Sequence, residues 1–232
     1  MAMSSRLISI QLGPAMEVVE QGTHEWWDKT WRTGFYKQPA QGPHWLGYEG
    51  LRGDDQVDRK VHGGVERAVC VYPSEHYAHW LSVLPLEVMP HGAFGENFTT
   101  AGLLETEVCI GDTYTLGGSL IQVSQPRQPC WKLARRWRIK DLSAQVERTG
   151  FSGYYFRVLA HGEVSAGDAF KLQERPHPQW TVKACTDIMN HGIGGAEAAA
   201  ALSECPALSG GWRDGLWLRS KKLGEAHMPA LV

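Results

Sequence analysis

A run of strand-like residues interrupted by two glycines constrains the fold most strongly. Residues 112–116 (DTYTL) and 119–123 (SLIQV) flank Gly117 and Gly118, an arrangement typical of a β-hairpin with a two-residue turn. Residues 7–12 also alternate, and residues 68–72 (AVCVY) form an apolar run like those of buried strands. Many short strands and few helices predict a mainly β fold, either a barrel or a sandwich.

Helices are expected at two places among these strands and again near the end of the chain. Ser74 is expected to cap one helix, and Asp141 a second one that ends at Gly150. Thr181 is expected to cap a third, and residues 196–202 are rich in helix formers. We therefore expect a β domain over residues 1–175 and a small helical C-terminal domain over residues 176–232.

Composition excludes several classes of protein. The chain has 232 residues, of which 43% are hydrophobic and 21% charged, as in ordinary globular proteins. A net charge of -2 and a pI near 6.5 argue against a general nucleic-acid binder, which carries a basic surplus. No apolar run is long enough to span a membrane, and the first residues do not resemble a signal peptide. We expect a cytoplasmic protein.

Cys130 has the most unusual surroundings of the five cysteines. The cysteines are irregularly spaced without a C-x-x-C pair, so each is by default a buried thiol. Cys130, however, follows two prolines that stiffen its loop, and the nearby Arg127 and Lys132 favour a thiolate. Residues 126–140 contain six basic and no acidic residues, which predicts a local anion site. A buried loop cysteine beside a solvated basic helix is the alternative.

Two glycine-containing segments carry further candidate residues. Lys60 and His62 precede a Gly-Gly pair, and in an extended segment both would face an anionic or oxygen-rich ligand; a surface turn is the alternative. Glu96 and Asn97 lie between two phenylalanines and suit the edge of a heterocycle, with a simple turn as the alternative.

Four tryptophans mark an aromatic N-terminal segment. They are Trp26, Trp27, Trp31 and Trp45. Such a segment can cover a pocket or pack against the barrel, and packing is the favoured interpretation because buried tryptophan usually belongs to a core.

Three motifs together point to a known family. Residues 60–64 (KVHGG), 95–97 (GEN) and 124–133 (SQPRQPCWKL) occur in this order. They resemble the MOSC family (molybdenum cofactor sulfurase C-terminal domain), particularly its YiiM-type bacterial branch. The resemblance covers most of residues 45–172, and the helical tail is similar to the three-helix segment that follows the domain in that branch. The sequence departs from the family at Phe98, where an aliphatic residue is usual, and at Trp131, where tyrosine also occurs.

The resemblance implies a β-barrel-like domain that binds a molybdenum–pterin cofactor, with Cys130 as the protein ligand to molybdenum. A soft thiolate suits a metal already bound by dithiolene sulfur, and the basic run can neutralise the pterin phosphate. We expect His62 to donate a proton and Lys60 to stabilise a developing oxyanion. The expected cofactor-binding residues are Lys60, His62, Arg67, Glu96, Asn97, Ser124, Arg127, Cys130, Trp131 and Lys132.

Relatives in this family reduce N-hydroxylated compounds, including hydroxylamino-purine base analogues, so the leading hypothesis is a detoxifying reductase of such compounds. A carrier that holds the cofactor or a persulfide on Cys130 is one alternative, and a metal-free cysteine enzyme with His62 as base is another. The sequence contains no cysteine-rich ferredoxin segment. The expected partners are therefore a small N-hydroxylated substrate and a separate flavin or iron–sulfur electron donor, without nucleic acid or membrane. A homodimer is left open.

Overall fold

The structure is a computed structural model that describes residues 5–19 and 25–225, except for the side chains of Lys60 and Val61. The described residues contain thirteen strands. They are β1 (Arg6–Leu12), β2 (Met16–Val18), β3 (Trp31–Thr33), β4 (Gln38–Pro39), β5 (His44–Gly47), β6 (Gly50–Leu51), β7 (Val69–Pro73), β8 (Phe98–Ala101), β9 (Thr113–Leu116), β10 (Ser119–Pro126), β11 (Tyr154–Ala160), β12 (Gly162–Val164) and β13 (Lys171–Glu174).

Eight of these strands form one large sheet in the order β13-β9-β10-β11-β7-β8-β1-β4. The β9–β10 hairpin is confirmed, with Ser119 opposite Leu116 and Gly117 at φ 53° in the turn. Backbone hydrogen bonds from Leu7 N to Asp168 O and from Gly167 N to Leu7 O join β1 to the segment before β13. These bonds bring the two sides of the sheet together, which confirms the mainly β, barrel-like fold.

Seven α-helices complete the described elements. They are α1 (Arg59–His62), α2 (Glu75–Val83), α3 (Lys132–Trp137), α4 (Leu142–Thr149), α5 (Val182–Thr186), α6 (Gly195–Ser203) and α7 (Gly210–Glu225). Short 3-10 helices cover Trp26–Asp28 and Val65–Arg67, and a π-helical turn covers Asp187–His191. None of the helices in the described ranges is long and apolar enough to cross a bilayer.

The predicted helix starts are only partly confirmed. The Thr181 hydroxyl accepts a hydrogen bond from Ala184 N at 3.1 Å, so the predicted cap of α5 is correct. The helices after Ser74 and Asp141 are present, but neither side chain caps its helix, and that part of the prediction is wrong. Asp141 instead accepts a hydrogen bond from the Gln145 side chain.

Strand β7 separates two hydrophobic cores. Val69 and Val71 belong to the barrel core, which also contains Phe98 and Phe156. Tyr72 points to a second core that α2, α3 and α4 build with residues 31–35. Because successive side chains of a strand face opposite sides, β7 can contribute to both cores.

The C-terminal helices pack directly on the barrel core. Cys185 of α5, Leu202 of α6, and Trp212 and Leu216 of α7 are buried in the same cluster as the barrel side chains. The helical C-terminal segment is therefore present, and these side chains bury part of its apolar surface against the barrel. A domain boundary at residue 175 stays a prediction.

Candidate functional site

A cavity lies where β7, β10 and β11 meet the loops around α1 and α3. Six of the residues expected from the sequence line it: His62, Arg67, Asn97, Arg127, Cys130 and Lys132. The fold thus brings together three chain segments that are up to 70 residues apart in the sequence.

Cys130 is a partly buried thiol held in a fixed loop at this cavity. It follows β10, and its carbonyl oxygen accepts a hydrogen bond from the Ser143 hydroxyl of α4 at 2.7 Å. Leu133 N also lies 3.2 Å from the same oxygen as α3 begins. Backbone contacts therefore fix the position of Cys130 and leave its sulfur available to a ligand.

Arg127 is the buried cation of the cavity. Its side chain is 5% exposed and donates a hydrogen bond to the carbonyl oxygen of Phe94. No carboxylate of the described residues forms an ion pair with it. A buried charge without a counterion is costly, so an anion in the cavity would stabilise it. Burial lowers the pKa of Arg127, but Cys70, Tyr155 and Cys130 outweigh burial and raise it above its usual value.

His62 lies in the same cavity and is held neutral. Burial, together with the charges of Lys132 and Arg127, lowers the pKa of His62 to about 4 against the opposing effect of Asp58. At neutral pH the imidazole is therefore uncharged. A histidine that donates a proton is expected to start from its charged form, so the cavity as it stands does not favour that role. An anionic ligand beside these cations would raise the pKa again.

Acidification is expected to destabilise the protein through His62. Its pKa falls from the usual 6.5 to about 4 on folding, so between these values the unfolded chain binds the proton more tightly. The free energy of unfolding should therefore fall as the pH falls through this window. Urea unfolding at about pH 7 and about pH 4.5 measures the loss, which should be smaller in His62→Gln. An equal loss in both proteins would contradict this assignment.

Lys60 and His62 are not on one face of an extended segment. Both lie in the single helical turn α1, so the predicted extended geometry is wrong. The side chain of Lys60 is outside the described part of the chain. Its role in stabilising an oxyanion stays a prediction.

Asn97 and Arg67 line the cavity, but their side chains are hydrogen-bonded to other residues of the protein. The Asn97 side-chain oxygen accepts a hydrogen bond from Cys70 N at 3.1 Å, and its amide donates to Asp54 at 2.9 Å. Arg67 Nε donates to Gln125 Oε1 at 3.3 Å. Asn97 therefore shapes the cavity wall rather than offering a free amide to a heterocycle.

Glu96 is not part of the cavity wall. Its fully buried carboxylate accepts hydrogen bonds from Gly92 N, Phe94 N, the Thr99 hydroxyl and the Tyr77 hydroxyl. The prediction that it binds a ligand or cofactor is therefore corrected, since its acceptors are already used within the fold.

Ser124 is a second expected residue that lies elsewhere. Its hydroxyl is buried 2.6 Å from the carbonyl oxygen of Glu66 and 3.1 Å from that of Tyr155. It therefore joins β10 to its neighbours and does not line the cavity.

Replacing Glu96 with alanine is expected to cost at least about 3 kcal/mol of unfolding free energy. The change leaves two buried backbone N–H groups, at Gly92 and Phe94, without their acceptor. Chemical denaturation of Glu96→Ala measures the loss, with Glu197→Ala on the exposed face of α6 as the control. Equal stability of the two variants would show that the Glu96 network is unimportant for folding.

The basic run after Pro126 does not act as one anion site. Arg127 and Lys132 line the cavity, whereas Arg136 donates to the carbonyl oxygen of Gly92 at 2.7 Å. Arg138 forms an ion pair with Asp28. Only part of the predicted anion site is therefore present, since Arg135, Arg136 and Arg138 bind residues of the N-terminal segment instead.

Outside Cys130 the cavity widens into a vestibule of about 410 Å³. His62, Cys130 and Lys132 line both spaces, and the vestibule adds Trp31 and Trp131. Trp131, expected to bind the cofactor, thus lies at the outer side of the cysteine. Cys130 lies between an inner cationic cavity and an outer aromatic one.

Comparison with known proteins identifies the family. The sequence pattern of the MOSC domain matches residues 58–171, which include α1, the β-hairpin and Cys130. YflK of Bacillus subtilis (strain 168) is 41% identical over 94% of this chain and 95% of its own length. The chain belongs to the MOSC domain family. Its recognition from three short motifs is thereby confirmed.

Two further relatives are similar to this MOSC protein over a smaller part of the chain. YiiM of Escherichia coli (strain K12) is 46% identical over 54% of this chain and 57% of its own length. A protein named "Reductase" from Gibberella moniliformis is 40% identical over 65% of this chain and 27% of its own length.

A solved structure shows the same fold over nearly the whole MOSC protein. YiiM from Geobacillus stearothermophilus superposes with a TM-score of 0.77 at 34% identity, covering 93% of this chain and 99% of that one. The match therefore includes the helical C-terminal segment as well as the barrel.

Several residues of the MOSC cavity are not among those expected from the sequence. Gly34, Phe35 and Lys37 of the N-terminal segment line it, as do Cys70 and Tyr155. Cys70 was expected to be a core residue, yet it faces the cavity between two core valines; burial raises the pKa of its thiol. Strand alternation within residues 68–72 is the signal that predicts this orientation.

Proposed function

We propose that this MOSC protein is a molybdenum-cofactor-dependent oxidoreductase that reduces N-hydroxylated compounds. The observation that carries the proposal is the buried Arg127 guanidinium, which has no carboxylate partner in the described chain and lies in the same cavity as the Cys130 thiol. A buried cation beside a soft sulfur ligand suits an anionic, sulfur-bound metal cofactor. Shared family membership and the fungal relative named "Reductase" support the same chemistry.

The residues at the cavity fit a molybdenum–pterin group. Cys130 is the proposed protein ligand to the metal, and Arg127 would offset the negative charge of the group in the inner cavity. Lys132, partly buried between the inner cavity and the vestibule, adds a second positive charge. When bound, the group supplies the two electrons of the reduction.

The proposed reaction converts R–NHOH, two electrons and two protons into R–NH2 and water. His62 is the proposed group that passes a proton to the departing hydroxyl, because it lines both the inner cavity and the vestibule. Its proton affinity would rise once an anionic group offsets the charges of Arg127 and Lys132. Lys60 is proposed to stabilise the negative charge that develops on the oxygen.

The proposed setting is the cytoplasm, where the five free thiols would stay reduced. Electrons would come from a separate flavin or iron–sulfur protein. A role in removing N-hydroxylated bases follows from this substrate class.

A reduction assay tests the proposal. Protein purified from a host that makes the cofactor is supplied with a chemically reduced electron donor and a hydroxylamino-purine, and the amino-purine product is quantified. We expect turnover by the wild type and by Cys109→Ser, because Cys109 is buried near Pro178 outside the cavity. Cys130→Ser should give no product above background. Bound molybdenum without any turnover would favour a carrier, and turnover without molybdenum would favour a cysteine enzyme.

A further inference from the structure

Trp131 exposes about half of its aromatic side chain beside the proposed metal ligand. It is 49% exposed and lines the vestibule directly after Cys130. Two other indoles lie behind it, with ring centroids 5.3 Å away for Trp31 and 6.3 Å away for Trp26. Exposed aromatic groups gathered at a cavity mouth are typical of a binding surface.

A buried arginine holds this aromatic cluster in place. The Arg135 guanidinium lies 4.5 Å from the ring centroid of Trp31 and 5.6 Å from that of Trp131. Arg135 is only 8% exposed, and its Nε donates a hydrogen bond to the carbonyl oxygen of Trp27 at 3.0 Å. Cation–π contacts therefore fix the indole of Trp131 although half of its surface is open to solvent. A fixed and exposed ring loses little conformational entropy when a ligand stacks on it.

We propose that Trp131 selects planar heteroaromatic substrates over aliphatic ones by stacking their rings in the vestibule. This inference rests on the proposed function and adds the part of the site that recognises the ring. The vestibule volume of about 410 Å³ leaves room for a purine-sized ring, and Cys130 forms part of its wall. A ring on Trp131 would thus present its exocyclic N-hydroxyl group toward Cys130 and His62, which line the same space.

The polar groups of the vestibule favour the same occupant. Lys132, Arg32 and Asp58 lie beside the indoles and offer hydrogen bonds to ring nitrogens and exocyclic groups. An aliphatic hydroxylamine has no ring that could stack on Trp131. The tryptophan is therefore a specificity-determining residue, and its loss should affect planar ligands selectively.

Equilibrium binding of 2-aminopurine tests the inference without requiring turnover. Fluorescence of the probe is titrated with cofactor-loaded wild type, Trp131→Ala, Trp131→Phe and Trp217→Ala. Trp217 of α7 is 51% exposed and lies outside the vestibule, so it is a matched control. We expect Trp131→Ala to weaken binding roughly 5- to 150-fold, the range of base–aromatic stacking. Trp131→Phe keeps an aromatic face and should stay within about 3-fold of wild type, and Trp217→Ala should bind normally.

Steady-state kinetics provide a second readout. In Trp131→Ala the KM for a hydroxylamino-purine should rise by a similar factor with nearly unchanged kcat, while the KM for hydroxylamine should not change. Normal 2-aminopurine binding by Trp131→Ala would overturn the inference. Loss of molybdenum from Trp131→Ala would also overturn it, because Trp131 would then pack on the cofactor. An inactive wild type that still binds 2-aminopurine through Trp131 would contradict the proposed function and support the stacking surface.

Discussion

Cys130→Ser is expected to lose its bound molybdenum while remaining folded. Serine is nearly isosteric with cysteine but is a harder ligand that is rarely deprotonated. The contacts that hold the Cys130 loop use its backbone carbonyl, with the Ser143 hydroxyl at 2.7 Å, and these remain in the variant. Elemental analysis of the purified variant measures the metal, and thermal unfolding measures the fold.

Cys109→Ser provides the matched control for this prediction. Cys109 is 2% exposed, with its sulfur 3.5 Å from the carbonyl oxygen of Pro178 and outside the cavity. We expect it to retain molybdenum and to change only in stability. Full molybdenum occupancy in Cys130→Ser would show that Cys130 is not the protein ligand to the metal.

Arg127→Met is expected to weaken cofactor binding strongly with little loss of stability. Methionine has a similar length and removes a buried cation that has no carboxylate partner in the described chain, so folding no longer carries that desolvation cost. The cofactor would lose a charge-assisted hydrogen bond of about 1.5–3 kcal/mol, roughly a 10- to 150-fold loss of affinity. Pterin content per chain and chemical denaturation measure the two effects.

Charge reversal at the same position is a harsher variant. Arg127→Glu should also weaken cofactor binding, but it places a carboxylate near Glu96 in a buried site and should reduce stability as well. Arg136→Met is the control for both, since Arg136 binds the carbonyl oxygens of Gly92 and Phe35 instead of lining the cavity. Normal pterin content in Arg127→Met would show that Arg127 does not bind the negatively charged part of the cofactor.

Much of the fold is predictable because its signals are local. The glycine turn at residues 117–118 sets the register of the β9–β10 hairpin, and the Thr181 hydroxyl caps α5 as expected. The caps at Ser74 and Asp141 were wrong because a suitable residue type does not determine its side-chain geometry. The approach of β1 to the segment before β13 depends on contacts about 160 residues apart. The strand pattern therefore leaves a barrel and a sandwich both open, and only the family resemblance selects the barrel.

The residues of the candidate site are less predictable from the sequence, because residues that look alike in the sequence make different contacts in the folded chain. Cys130 and Arg127 share a short loop, and their chemistry is visible in the sequence. Lys37 reaches the cavity from the N-terminal segment and pairs there with Asp54, a contact that no local pattern predicts. Glu96 was misassigned because a carboxylate that satisfies backbone N–H groups within a turn resembles a ligand in sequence alone.

The cofactor content of the wild-type protein shows whether this MOSC protein binds a molybdenum–pterin group. The chain is produced in a host that makes the molybdenum–pterin cofactor and in one that cannot, and molybdenum, pterin and protein are quantified in each preparation. We expect protein from the competent host to contain molybdenum and pterin in amounts equimolar with the chain. Protein from the deficient host should contain neither. Protein from the competent host that contains no molybdenum would contradict this expectation.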